Sequence, residues 1–289
     1  MHLVTFDDGL GPRVGVLRAG SVIDLSGFDA SIPAVMIDLI AAWPDLVDRV
    51  MAARGPVLPI ETVRLLAPIP RPRKNVFAVG RNYRDHAAEF SQSGFDASEK
   101  QMIPDHPVFF SKVPTAVIGP EESIDASNDP TGTTDYEGEL AVVIGESGKR
   151  IAIDRAMEHV FGYTVINDLT ARDLQSQHVQ WLVGKSPDTF CPMGPSIATA
   201  DEVDLSRAWL RTWVNQELRQ ESPVAALIFD VPTLVSSLSA VMTLEPGDII
   251  ATGTPLGVGI GFEPPRYLNP GDVVTIEVEG IGRLSNTVV

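Results

Sequence analysis

Glu137 and Glu139 stand two residues apart at the head of an apolar run, Leu140-Ala141-Val142-Val143-Ile144. Such a run forms a strand, and in a strand residues i and i+2 point to one face. The two carboxylates then share a face, with Cα atoms about 6.5–7 Å apart. Their repulsion is costly in a half-buried setting unless a cation lies between them or one carboxyl keeps its proton. Taken alone, an E-x-E pair at a strand end is more simply a solvated edge. A second segment shifts that balance. Phe161-Gly162-Tyr163-Thr164-Val165-Ile166-Asn167 reads as another strand, and Asp168 follows it where a helix is expected to begin, with Asp168 or Thr170 as its N-cap. A strand end also presents an oxygen ligand readily. Three carboxylates with no His or Cys beside them suit a hard ion, Mg²⁺, Mn²⁺ or Ca²⁺, rather than Zn²⁺.

A second constellation lies in Asn82-Tyr83-Arg84-Asp85-His86-Ala87-Ala88-Glu89-Phe90, a polar helix candidate. His86 and Glu89 are three apart and so neighbours on a helix face, where Glu89 can orient His86 as a base acting on water. The plain alternative is a solvated helix surface. Other signals carry no chemistry. Gly253, Gly257, Gly259 and Gly261 resemble a phosphate loop, but no Lys-Ser/Thr follows and no helix pattern opens there. Cys191, the single cysteine, reads as a buried structural thiol, and Trp181, Trp209 and Trp213 as core or interface residues.

The elements that must position these groups are mostly strands. NVFAVG, PVFFSK, ELAVVIG, FGYTVIND, AWLRTWVN, DIIATGT and DVVTIEVEG are strand candidates, and VPTLVSSLSAVMTL is the clearest helix, with apolar Val231, Leu234, Val235, Leu238, Val241 and Met242. Ahead of them, LVTF and RVGVLRAGSVIDL form a short meander turning at Gly11 and Gly20, and residues 33–54 show helical spacing interrupted by Pro44. The proline-rich, basic stretch 67–73 marks a joint. The expected organisation is a small N-terminal domain, residues 1–70, and a catalytic domain, residues 71–289, together a β-rich α+β fold.

The 289 residues are 44% hydrophobic and 21% charged, ordinary for a globular protein, and no apolar run approaches the span of a bilayer. The start, MHLVTFDDGL, lacks the pattern of a signal peptide. One cysteine and no leader suggest the cytoplasm. A net charge of −16 with no basic stripe argues against nucleic-acid and membrane partners. It does not exclude an anionic small substrate, because a metal and a few basic side chains reverse the field in a cleft.

The ordered segments GRNYRDHAAEF, PVFFSK, DYEGELAVVIG, GYTVINDLTARDLQ, GKSPDTFCPMGP, GDIIATGTPLGVG and PGDVVTIEVEGIGRLSNTVV resemble the fumarylacetoacetate hydrolase family across roughly residues 65–289. The resemblance implies a twisted mixed β-sheet roll, a homodimer, and an Mg²⁺ or Mn²⁺ site with Glu137, Glu139 and Asp168 at the ligand positions. It places Lys185 at the family's active-site lysine, His86 and Glu89 at a catalytic dyad in a lid over residues 82–106, and Arg81, Tyr83, Lys112, Gln175 and Thr254 at substrate-contacting positions. Gln175 rather than Arg172 is expected to face the substrate. The larger members carry a further aspartate ligand upstream, for which there is no match, so the likeness is to the three-carboxylate members. The implied activity is metal-dependent hydrolysis of a C–C bond in a small diketo or 2-oxo acid, of acylpyruvate or fumarylpyruvate type. Oxaloacetate-type decarboxylation and hydroxymuconate-type isomerisation on the same site are alternatives. A non-catalytic metal and 2-oxo-acid binding protein is an alternative of another class.

Overall fold

The apolar runs do become strands, and most of them join one sheet. The computed structural model describes residues 1–87 and 104–289. The N-terminal meander is β1 (His2–Asp7), β2 (Arg13–Arg18) and β3 (Ser21–Asp24), followed after three helices by β4 (Val57–Pro59) and β5 (Arg64–Leu66). Then come β6 (Val76–Gly80), β7 (Val108–Lys112), β8 (Val117–Ile118), β9 (Thr134–Asp135), β10 (Gly138–Ile144), β11 (Val160–Asn167) and β12 (Thr170–Ala171). The last third supplies β13 (Cys191–Thr199), β14 (Trp209–Val214), β15 (Glu217–Pro223), β16 (Ile249–Ala251), β17 (Val273–Val278) and β18 (Gly282–Thr287).

A twelve-stranded sheet runs β4-β3-β2-β1-β13-β11-β10-β16-β6-β7, with β5 on β1 and β8 on β13. It is mixed: β16–β6 and β13–β8 pair parallel and the others antiparallel. A four-stranded sheet, β15-β14-β17-β18, packs beside it. β10 is buried on both faces, which is why its sequence is continuously apolar. Ala141 and Val143 join the core that contains Leu39 and Ile40 of the N-terminal helices. Leu140, Val142 and Ile144 join the core shared with Leu210, Val274 and Ile276 of the smaller sheet. Residues 1–70 meet the remainder through a continuous sheet, His2 opposite Ala198 and Leu3 opposite Ile197. The result is a β-rich α+β roll. Among the described residues, no helix is long and apolar enough to cross a membrane.

Several expectations are refined. Pro44 lies in the first turn of the helix Trp43–Ala52, so it starts a second helix after Met36–Ala41 instead of bending one. The helix Val231–Ser239, capped by Asp230 whose carboxylate oxygen accepts from the Thr233 amide, stops before Val241 and Met242, which are exposed. No helix begins at Asp168 or Thr170. Thr170 and Ala171 pair with Asp135 and Thr134, and the helix Arg172–Gln177 has Ala171 at its N-cap with no side-chain cap. Asp168 is therefore released from capping and its carboxylate is available elsewhere.

The strand registers bring four chain segments to one sheet end. Gly138 lies opposite Asn167 and Glu139 opposite Ile166, so the start of β10 meets the end of β11. Ala141 lies opposite Ala251 and Ala251 beside Ala78, which delivers the residues after β16 and after β6 to the same place.

Candidate active site

One carboxylate oxygen from each of Glu137, Glu139 and Asp168 lies within 4.8 Å of the others, and all three residues are buried. This is the set expected from the sequence, and its all-oxygen chemistry fits a hard divalent ion. The three are not equivalent. Glu137 sits between two cations, with Oε1 2.7 Å from Arg172 Nη1 and Oε2 2.7 Å from Lys185 Nζ. Burial alone would raise its pKa, but Lys185 and Arg172 hold it at about 2. Asp168 has Lys112 Nζ 2.7 Å from Oδ1 and Lys185 Nζ 2.7 Å from Oδ2. Among the described residues, Glu139 has only an amide, Gly253 N–H donating to Oε2 at 2.8 Å. Burial first, then Asp168 and Glu137, push its carboxyl well above the usual range. Such a group calls for a cation beside it.

Gly253 reaches Glu139 because it has no side chain. Its φ is +105°, and a Cβ there would lie 2.8 Å from Asn82 Cβ and 3.1 Å from the Val79 carbonyl oxygen. Gly253→Ala should therefore lose about 1–3 kcal/mol of stability and weaken metal-dependent turnover, as read by denaturant melts and steady-state assay. An unchanged melt would refute the strain argument.

The cleft above the triad is lined by Val79, Gly80, Arg81, His86, Phe110, Arg172, Gln175, Trp181, Lys185 and Thr254. Lys185 ends the helix Leu182–Lys185 and lies 4.9 Å from the centre of the Phe110 ring. Burial would lower its pKa, but Asp168 and Glu137 raise it, so it stays an ammonium. His86 is buried in the helical residues 84–87. Ahead of it, Asn82 anchors the turn: Nδ2 donates to the carbonyls of Phe229 and Thr252, and Oδ1 accepts from the Phe229 amide. Arg81, at the cleft wall, has a left-handed φ of 57°, a conformation that a non-glycine residue keeps only when its surroundings enforce it.

Other expected site residues land differently. Glu89 and most of the expected lid, residues 88–103, lie outside the described residues. Lys112 is in β7, wholly buried behind Asp168, where Nζ also donates to the carbonyls of Leu169 and Lys185. It faces no cleft. Tyr83 is buried beside the cleft and absent from its lining; burial and then Glu139 raise its pKa. Thr254 reaches the cleft, with its hydroxyl donating to the Gly138 carbonyl and accepting from Gln220. Gln175 and Arg172 both line it, joined by Arg172 Nη1 donating to Gln175 Oε1 at 3.2 Å. Trp181, read from sequence as core, is part of the wall and packs edge-on to Phe110 with ring centres 5.2 Å apart. Asp135 was not singled out at all. It is fully buried and grips Arg172, whose Nε donates to Oδ2 at 2.9 Å. Cys191 is buried in β13 and its thiol is pushed up to about 12 by burial, which leaves it inert.

The family model described as fumarylacetoacetate (FAA) hydrolase C-terminal matches residues 75–289. The chain belongs to the fumarylacetoacetate hydrolase family. The matched segment contains every residue of the cleft wall. Among curated members, "Oxaloacetate tautomerase YisK" of Bacillus subtilis (strain 168) is 50% identical over 230 residues, 79% of this chain and 74% of that protein. "Oxaloacetate tautomerase FAHD2B, mitochondrial" of Bos taurus is 41% identical over 299 aligned residues, 100% of this chain and 92% of that protein. Among solved fumarylacetoacetate hydrolase-like structures, the maleylpyruvate hydrolase of Sphingobium sp. SYK-6, in complex with manganese(II) ion and pyruvate, superposes with a TM-score of 0.81. It is 33% identical, and the match covers 100% of this chain and 99% of that one.

Proposed function

We propose that this protein interconverts the enol and keto forms of oxaloacetate or a closely similar 2-oxo diacid, using Mg²⁺ or Mn²⁺ held by Glu137, Glu139 and Asp168. The observation that carries this reading is the 41% identity along the whole chain to a relative named an oxaloacetate tautomerase. The burial of the triad and the raised carboxyl of Glu139 support the metal. Tautomerisation moves one proton from the enol oxygen to C3; it breaks no C–C bond and consumes no water. C–C hydrolysis, the activity first favoured by the family resemblance, becomes the second reading, supported by the maleylpyruvate hydrolase neighbour.

A divalent ion bound at the triad supplies Lewis-acid polarisation of the 2-oxo group. The side chains supply the rest. Lys185 keeps its proton and offers a fixed positive charge to the oxygen on which negative charge develops. Arg81 and Gln175, in the wall, receive the substrate carboxylates. His86 carries the proton at C3. Val79, Phe110 and Trp181 close the apolar side and keep water from the carbanionic carbon.

The direct test follows the ultraviolet absorbance of enol-oxaloacetate after mixing with purified protein. Ketonisation should accelerate with Mn²⁺, fall to the spontaneous rate with EDTA, and recover when metal is restored. Maleylpyruvate and acylpyruvates assayed in parallel for pyruvate release should turn over more slowly. Rapid pyruvate release with enol decay left at its spontaneous rate would replace tautomerisation by hydrolysis. Mn²⁺ binding with no turnover of any of these acids would leave a binding protein.

A further inference from the structure

Gly80 ends β6, opposite Val108 of β7. Its φ lies outside the left-handed region, so the backbone itself does not call for glycine there. A glycine weakens a strand, and one kept in a strand marks a place where another group comes close. Here that group is Trp181. A Cβ on Gly80 would lie 2.5 Å from Cζ3 and 2.9 Å from Cη2 of the indole, so the ring is seated directly on the strand. A second neighbour is Phe110, met edge-on with ring centres 5.2 Å apart. Phe110 in turn lies 4.9 Å from Lys185 Nζ, the ammonium that touches Glu137 and Asp168. Trp181 and Lys185 also share one helical turn, with the Lys185 amide donating to the Trp181 carbonyl at 2.9 Å. The indole is thus tied both to the strand and to the charged end of the cleft. That cleft has an empty volume of about 310 Å³, at the lower end of the range for small-molecule pockets, about 300–1,000 Å³.

We propose that Trp181, seated on Gly80, sets the length of acid that the cleft accepts and excludes tails longer than that of oxaloacetate. The proposal rests on the 2-oxo acid reading above and adds the residues that fix substrate size. An indole is a large rigid plane, and one pressed on a backbone and on the edge of a second ring has little room to swing aside. It acts as a fixed stop for an acid anchored at the triad. Trimming the ring opens the space it fills, and a methyl at position 80 pushes it off its seat. A ring that merely filled the core would change stability without regard to the length of the tail.

Calorimetric titration of the full chain loaded with Mn²⁺ tests this without turnover, using pyruvate and 2-oxoadipate as probes. The two share the 2-oxo carboxylate head and differ in the tail. The unaltered protein should favour pyruvate. Trp181→Ala should move the ratio of affinities towards 2-oxoadipate by about tenfold or more, the scale on which an apolar pocket weighs added methylenes. Trp181→Leu trims the same ring and reads the shift if Trp181→Ala fails to fold, which thermal melts reveal. Gly80→Ala should change the ratio when Trp181 is present and leave it unchanged in the Trp181→Ala background, where the added methyl meets no ring. Tighter binding of 2-oxoadipate than of pyruvate by the unaltered protein overturns the proposal. So does an unchanged ratio in the Trp181 variants, or a Gly80→Ala effect of equal size in both backgrounds; each of these leaves the 2-oxo acid reading standing. Failure of the unaltered protein to bind either acid overturns that reading, and this proposal with it.

Discussion

Replacing Glu139 by alanine is expected to abolish metal-dependent turnover while leaving the fold intact or more stable. The reason is its position among its neighbours. Among the described residues, Glu137 and Asp168 each touch two cations, but Glu139 has a single amide. In metal-stripped protein it is a buried charge facing two others, so removing it relieves repulsion. The pH dependence has a definite sign. A carboxyl whose folded pKa is raised binds more protons in the folded state, so stability falls as pH rises from the unfolded value, about 4.3, towards the raised one. Metal-stripped protein should therefore lose stability through that window, and Glu139→Ala should lose less. Saturating Mn²⁺ should remove the difference in slope, since the ion supplies the missing countercharge. Thermal melts across pH, with EDTA and with Mn²⁺, provide the measurement. Retained Mn²⁺-dependent activity in Glu139→Ala would sink the assignment of the triad.

Much of this site is legible in sequence because it obeys short-range periodicities. The two-residue spacing of Glu137 and Glu139 places them on one face, and the apolar run after them fixes the strand. What brings Asp168 to them is register, Gly138 opposite Asn167, and register between strands of similar composition is not written in either one. The local rule that made Asp168 a cap loses to the bridge between β12 and β9, which delays the helix to Arg172. Lys112, 56 positions before Asp168, gives no local sign of its role, and a lysine is rarely expected at zero exposure. Arg172 and Asp135 are read as ordinary polar residues for the same reason: their pairing exists only in three dimensions. β13 was hidden by Pro192 and Pro195, residues that argue against an inner strand. It is tolerated because its pairing with β11 shifts register between Tyr163 and Val165, opposite the stretch that holds Pro195.

The second large effect is expected at His86. His86→Asn should lower the tautomerisation rate by about 10²–10⁴-fold, the usual share of a positioned proton carrier, while Mn²⁺ affinity changes little. Two groups in the cleft could be asked to move a proton between the substrate oxygen and C3. Lys185 is unsuited, because its ammonium lies 2.7 Å from both Glu137 and Asp168 and those charges raise its pKa. It serves as a fixed charge, so Lys185→Met should disturb Mn²⁺ binding along with rate. His86 lines the same cleft, buried, on a turn that Asn82 fastens to residues 229 and 252. A side chain placed so firmly at a cleft wall, outside the triad, can change rate without changing the metal. The separation of the two effects is the decisive reading: rate lost with Mn²⁺ affinity kept for His86→Asn, both altered for Lys185→Met. If His86→Asn turned over enol-oxaloacetate at the unaltered rate, the proton would have to travel by another residue, and the assignment of His86 would fall while the metal site stood.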